Sequence, residues 1–124
     1  MKYGNKKTYA NGQIFDSSHE ARRYRDLCIL QRAGQISDLK TQVPFELIPT
    51  QREPDIIGKR GGIKQGKCIE KKCEYYADFV YKDAGGNVVV EDAKSPATRT
   101  EAYKIKKKLM LEINGIEIRE IKKE

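Results

Sequence analysis

The tightest constraint on this chain is a pair of apolar runs that each carry an acid where a half-buried strand has no ordinary use for one. Cys73 to Lys82 is dense in aromatic and β-branched residues, which suit a pleated surface, yet Asp78 lies inside Tyr75-Tyr76-Ala77-Asp78-Phe79-Val80-Tyr81. Asn87 to Lys94 begins on Val88-Val89-Val90 and ends on Asp92-Ala93-Lys94. Between them Asp83-Ala84-Gly85-Gly86-Asn87 is turn chemistry, so the two runs predict a β-hairpin. Side chains alternate along a strand, so Asp92 and Lys94 share a face with Val88 and Val90 while Glu91 points the other way.

The hairpin register decides what these acids can do. A three-residue loop Ala84-Gly85-Gly86 sets Asp78 opposite Asp92, Val80 opposite Val90 and Tyr76 opposite Lys94. A two-residue Gly85-Gly86 turn pairs Asp78 with Ala93 and changes how Glu91 and Asp92 stand to Asp78. The first register is expected, because glycine suits the left-handed position of a three-residue loop. In that register two carboxylates face each other with β-carbons about 5 Å apart and repel. A divalent cation reverses the sign. Magnesium takes oxygen ligands and keeps several waters, so two carboxylates with an open side make a reasonable site. Lys94 would then supply the charge stabilisation that phosphodiester hydrolysis needs.

Elsewhere, Ser17-Ser18-His19-Glu20 reads as a capping box opening a helix, with Ala21, Tyr24, Leu27 and Cys28 at helical spacing and Gly34 at its end. Ile36 to Lys40 and Val43 to Ile48 predict short extended runs. Pro49 to Gly66, with its prolines and glycines, predicts a long loop. From Thr98 to Asn114 a helix is expected, with Ala102, Ile105, Leu109 and Ile113 as its apolar stripe and Gly115 as its cap. Ile116 and Ile118 alternate with Glu117 and Arg119 as a closing strand. The order helix-strand-strand-strand-helix-strand implies an α/β fold: a parallel crossover beside an antiparallel meander, in a mixed sheet flanked by helices.

With 124 residues, 38% of them hydrophobic, a single domain over 1–124 is expected. No apolar run approaches the roughly 20 residues that span a bilayer. Met1 to Ala10 holds Lys2, Lys6 and Lys7 without the apolar stretch of a secretory signal, so a cytoplasmic chain with no membrane partner is expected. The three cysteines Cys28, Cys68 and Cys73 argue against a disulfide framework, and a zinc site would need Cys28 and His19 to converge on the other two. A net charge of +7 favours polyanionic partners. The charge is clustered. Lys59, Arg60, Lys64, Lys67, Lys71 and Lys72, interleaved with glycines, predict a flexible basic loop over about 52–68, and Lys104, Lys106, Lys107 and Lys108 sit on the second helix. Lys59, Arg60, Lys64, Lys67, Lys104, Lys107 and Lys108 are expected to track nucleic-acid phosphates without reading sequence.

An acid-x-Lys triplet alone carries little weight, since Asp38-Leu39-Lys40, Glu70-Lys71-Lys72 and Glu120-Ile121-Lys122 share the form of Asp92-Ala93-Lys94. A literal Pro54-Asp55 precedes Glu70, but Asp55 leads into the glycine-rich segment, where nothing would hold its carboxylate rigidly. Only Asp78 and Asp92 are both flanked by strands. On these residues, and over Phe15 to Ile121, the chain resembles the PD-(D/E)XK nuclease superfamily, within it the small phage-borne proteins related to Holliday-junction resolvases and recombination nucleases. Glu20 matches the acid such proteins carry on their first helix, and Thr98 to Leu109 resembles the threonine, aromatic and lysine-rich helix after the motif. Ala77 stands in place of the motif's proline, Asp92 where many members have glutamate, and Arg99 where some relatives have glutamine ahead of a tyrosine such as Tyr103.

The resemblance implies a restriction-endonuclease-like core and metal-dependent hydrolysis of DNA leaving a 5′-phosphate. It assigns catalysis to Glu20, Asp78, Asp92 and Lys94, and Mg2+ or Mn2+ to Asp78, Asp92 and the Ala93 carbonyl. It further implies a phage or prophage gene acting in a bacterial host's cytoplasm, with branched DNA among the candidate substrates and a homodimer among the candidate assemblies. Plainer readings stand beside it. Glu20 could only cap Ser17, Lys94 only neutralise Asp92, and Tyr75, Tyr76 and Tyr81 only pack, with Asp83 a turn residue and His19 a solvated first-turn residue. The alternative function is a non-catalytic nucleic-acid-binding module that keeps the fold; a domain binding acidic proteins is a third.

Overall fold

The structure, a computed structural model, describes residues 7–122. Lys2 and Lys6 lie outside the described residues. β1 (Thr8–Ala10) and β2 (Gln13–Phe15) pair as a hairpin around Asn11 and Gly12, both at positive φ as a tight two-residue turn requires. α1 (Ser18–Arg32) follows; the Ser17 hydroxyl accepts the Glu20 amide, and Gly34, at φ 79°, lies just past the C-cap.

β3 (Ser37–Ile48) is one strand where the sequence suggests two, because Asp38 and Gln42 sit in the left-handed region (φ 55° and 52°) and break the visible alternation. The segment expected as a flexible loop is instead strand-paired. β4 (Gln51–Arg52), β5 (Ile56–Ile57), β6 (Ile63–Lys64) and β7 (Cys68–Glu70) fold it into a ribbon, β4 on β7 and β5 on β6. Its strands of two or three residues leave too little alternation to be read from sequence. β8 (Cys73–Lys82) and β9 (Val88–Lys94) form the expected hairpin, then a 3-10 turn at Pro96–Thr98, α2 (Glu101–Asn114) and β10 (Arg119–Lys122).

The main sheet runs β10-β9-β8-β3, with β3, β8 and β9 antiparallel and β10 parallel to β9 through the α2 crossover. The fold is α/β with a mixed sheet. Phe79 and Val80, neighbours on β8, serve different cores. Phe79 joins Tyr81, the α1 residues Ala21, Tyr24 and Leu27, and Ala10 and Phe15 of the first hairpin. Val80 packs against Val90, Leu47, Tyr75 and Ala77 of the sheet, Tyr103 and Met110 of α2, and Ile118.

α2 is rotated from the expected stripe. Tyr103 and Met110 are buried, whereas Ile105 and Ile113 are largely exposed. A tyrosine that gains a ring contact and a hydroxyl partner outcompetes an isoleucine for the sheet, a preference invisible to apolar spacing. The closing strand starts at Arg119 because Ile116 still belongs to the helix cap, its amide bonding the Met110 carbonyl beside the left-handed Gly115. No helix among the described residues is long and apolar enough to cross a membrane.

Candidate active site

The β8–β9 turn sets the site. Asp83 N–H bonds Asn87 C=O (2.9 Å), Gly86 N–H bonds Asp83 C=O (3.0 Å), and Gly86 takes φ 81°, so the loop has three residues. The Asp83 carboxylate holds the Gly85 and Asn87 amides at 2.9 Å each and acts as a turn residue. The ladder pairs Lys82 with Val88, Tyr81 with Val89, Val80 with Val90 and Phe79 with Glu91, which is the register that carries Asp78 towards Asp92. There the ladder stops and side chains replace it. The Asp78 amide donates to Asp92 Oδ1 and the Ala93 amide donates to Asp78 Oδ2, both at 2.9 Å. Each acid is thereby fixed to the other's strand. The expected Tyr76–Lys94 pairing lies beyond the end of the ladder at Phe79–Glu91, and the Lys94 ammonium stands 4.1 Å from the centre of the Tyr103 ring.

Glu20 reaches the same place from the first turn of α1. Its backbone amide bonds Ser17, but its carboxylate turns to Gln42, whose Nε2 donates to Glu20 Oε2 (2.9 Å) and towards Asp78 Oδ1 (3.5 Å). Capping and site roles therefore coexist, the first on the backbone and the second on the side chain. Gln42 lies between the pairs Thr41–Phe79 and Val43–Ala77 and leaves the ladder at its left-handed φ. Such backbone costs on the order of 1–3 kcal/mol and persists where the surroundings enforce it.

The electrostatics are those of acids crowded together without enough cation. Burial and the Asp78 charge push Asp92 up to about 6, and burial with the Asp78, Asp16 and Asp92 charges pushes Glu20 up to about 7. Asp78 is also raised, chiefly by burial, against the Ala93 amide, Lys94, Gln42 and His19, which favour its ionised form. Lys94 Nζ is 3.9 Å from Asp92 Oδ2, a loose ion pair. The buried Tyr75 hydroxyl lies near enough to favour the Asp92 carboxylate, yet has no hydrogen-bond partner of ordinary geometry.

Glu91 shows the contrast. It is fully buried, but Arg23 grips both its oxygens (2.7 and 2.8 Å) and the Tyr81 hydroxyl donates to it, with Arg119 behind. Asp92 rather than Glu91 is the acid beside Asp78.

The competing triplets have other partners. Asp38 pairs with Lys82, and Glu70 is exposed on the ribbon. Asp55 accepts the Gly66 amide within the ribbon. Glu120-Ile121-Lys122 lies in register beside Asp92-Ala93-Lys94, but Arg99, Tyr103 and Lys107 bind Glu120 at 3.1, 2.8 and 3.2 Å. Burial would raise the Glu120 carboxyl; these three partners outweigh it and hold the group below the ordinary glutamate range. A groove of about 460 Å³ runs from Lys94 past Ser95 and Pro96 to Arg99, Glu120 and Lys122.

The basic residues divide. Lys59, Arg60, Lys64 and Lys67 are exposed on the ribbon, and Lys108 on α2. Lys107 pairs with Glu120 (3.2 Å), and Lys104 makes an exposed pair with Glu101 (3.3 Å) on the surface of α2. His19, Tyr75 and Tyr103 also belong to the site, as does Gln42, which the sequence reading did not single out. The one signal for Gln42 is the interruption it makes between the two extended runs of β3.

Asp78 and Asp92 present carboxylate oxygens, the donor class a hard divalent ion takes, each acid fixed by a backbone amide; Glu20 stands beside them through Gln42, and the Tyr75 hydroxyl is a buried polar atom near Asp92. Among the described residues no group of three or more His, Cys, Asp or Glu side chains is placed to hold a metal ion by itself, so a magnesium bound by the two aspartates would complete its shell with the Ala93 carbonyl and water. All three cysteines are free thiols.

No curated protein and no solved structure matches the chain. A family model does, over residues 1–123, and on that span the chain belongs to the family described as Protein of unknown function (DUF1064).

Proposed function

We propose that this chain is a metal-dependent DNA endonuclease built on a restriction-endonuclease-like core of the PD-(D/E)XK kind. The observation that carries the reading is the reciprocal fastening of Asp78 and Asp92, with Glu20 joined to them through Gln42, in a place where their mutual repulsion is left uncompensated. Buried acids kept at raised pKa in a cluster mark functional sites, because a purely structural acid is stabilised by a fitted cation. Asp78, Asp92 and the Ala93 carbonyl would hold Mg2+ or Mn2+, which when bound supplies Lewis-acid polarisation of a phosphate oxygen.

Lys94, oriented by Asp92 and the Tyr103 ring, donates to the charge that develops on the phosphate. Glu20, held above the ordinary glutamate range by burial and the neighbouring acids, takes the proton of the attacking water at Oε1 while Gln42 holds Oε2. The exposed ribbon lysines and Lys108 contact phosphates. A branched substrate, a homodimer cutting two strands, a 5′-phosphate product and a phage gene working in a bacterial cytoplasm are part of this proposal and rest on the resemblance.

The test is cleavage of supercoiled, linear and four-way-junction DNA with and without Mg2+ or Mn2+, beside Asp78→Asn. Metal-dependent nicking that Asp78→Asn reduces to background supports the reading. Tight DNA binding with no cleavage of any form in either metal replaces it with the non-catalytic binding module.

A further inference from the structure

We infer that the ribbon between β3 and β8 is a groove-inserting arm for duplex DNA, with the exposed Ile57–Ile63 pair as a wedge against a base step and Lys59 and Arg60 as its phosphate-gripping tip. The inference rests on the proposed function only in taking DNA as the partner.

The arm is a built element. Glu53 N–H bonds Lys67 C=O (2.8 Å), Gly66 N–H bonds Asp55 Oδ1 (2.9 Å), and Arg52 reaches the Gly66 carbonyl (3.3 Å). Gly66 is required here, since a β-carbon on it would stand 1.7 Å from the Glu53 carbonyl oxygen. At the tip Gly58 N–H bonds Gly62 C=O (2.7 Å), Gly61 N–H bonds Gly58 C=O (3.0 Å) and Gly61 takes φ 83°. This repeats the turn geometry of the β8–β9 hairpin and puts Lys59 and Arg60 at the two central turn positions.

Immediately below the tip Ile57 and Ile63 are direct cross-strand partners, so their side chains share one face, and each is 79% exposed. Two isoleucines left in water beside a turn are costly unless something covers them. From Ile56 to Lys67 the charged residues are Lys59, Arg60, Lys64 and Lys67, with no acid among them. That rim repels a second copy of the same tip and attracts a polyanion. A two-stranded ribbon fits a DNA groove, and apolar wedges flanked by cations unstack base steps. Continuity favours DNA over an anionic membrane: β3, with Gln42, and β8, with Asp78, are the strands from which the arm extends, so a polymer gripped by the arm lies along the strands that lead to the acids.

The experiment uses end-labelled duplex of about 30 base pairs carrying 2-aminopurine, with the full chain in EDTA so that cleavage cannot contribute. Energy transfer reads bending and 2-aminopurine fluorescence reads unstacking. Wild type should give both signals. Ile57→Ser with Ile63→Ser should abolish both and leave affinity within about threefold, since phosphate binding supplies most of it. Lys59→Ala with Arg60→Ala should weaken binding and lower the log-log salt slope by about 2, near 0.9 for each phosphate no longer neutralised. Unchanged signals in the isoleucine variant overturn the inference. So does a shift from dimer to monomer by size exclusion, or loss of binding to phosphatidylserine vesicles, with the DNA signals intact. A wild type that bends DNA but never cleaves it in Mg2+ or Mn2+ overturns the nuclease reading and leaves this one standing; cleavage with bending insensitive to the isoleucines does the reverse.

Discussion

Glu91 and Asp92 are neighbours on β9 and both are buried, yet the molecule treats them in opposite ways. On one side of the strand Glu91 receives a bidentate guanidinium and a phenol, so its charge is matched at the cost of ordering Arg23, Tyr81 and Arg119. On the other side Asp92 meets Asp78, with the Glu20 carboxylate close enough to feel its charge and one lysine at 3.9 Å. One acid serves the architecture; the other is kept short of cation. The same helix supplies both, Glu20 and Arg23 lying one turn apart on α1. Burial of a carboxylate therefore says little until its partners are named.

The two acids separate most widely under paired substitutions. Asp92→Asn should cut metal-dependent cleavage by roughly 10³-fold or more, a loss of transition-state charge stabilisation, while the thermal midpoint at pH 7.5 holds or rises because a repulsion is gone. Glu91→Ala should do the converse. It strands Arg23 beside a cavity and is expected to cost about 3–5 kcal/mol by denaturant titration. If both substitutions destabilise equally, the two acids are not differently employed.

Lys94→Ala is expected to slow cleavage by about 10²–10³-fold with DNA binding within a few fold, read by single-turnover kinetics beside a binding titration. A binding loss as large as the rate loss would make Lys94 a phosphate tether alone.

A smaller effect is expected from pH. Folding raises Glu20 from 4.5 to about 7 and Asp92 from 3.8 to about 6, so over this range the folded chain binds more protons than the unfolded one. Stability contributed by these groups is present below their unfolded pKa values and is lost as pH rises towards the folded ones. The metal-free midpoint should therefore fall by a few degrees between pH 4.5 and 7.5. Glu20→Gln should flatten that fall, and Mg2+ should restore the wild-type midpoint at pH 7.5. The smallest effect is expected at Gln42. Gln42→Gly removes the amide bridging Glu20 and Asp78 while relaxing a left-handed backbone, so cleavage should drop several-fold with no loss of midpoint.

Much of this was legible because the hairpin's information is local. Alternation marks β8 and β9, and the glycines of the turn restrict the register to two choices, of which the three-residue loop places Asp78 by Asp92. The Ser17 signature places Glu20 at the start of a helix that lands on the sheet. What was hidden depends on distant neighbours. Nothing local tells that Gln42 turns left-handed or that its side chain reaches Glu20 and Asp78 across the sheet. Tyr103 displaces the Ile105 stripe because its hydroxyl finds Glu120 and its ring takes Lys94, partners outside the helix that carries it. The Glu120 triplet shares the form of the Asp92 one and lies beside it in register, but Arg99 and Lys107 neutralise Glu120, partners that the triplet itself does not disclose.

The proposed chemistry stands or falls on whether Asp78 and Asp92 together hold one divalent ion. Calorimetric titration of the DNA-free chain with Mn2+ at pH 6.5, repeated in buffers of different ionisation enthalpy, decides it. Binding of one ion per chain with release of protons, abolished by Asp78→Asn and by Asp92→Asn and retained in a folded Glu91→Gln, is the predicted result. An isotherm unchanged by either aspartate substitution, or no binding at millimolar Mn2+, would contradict it.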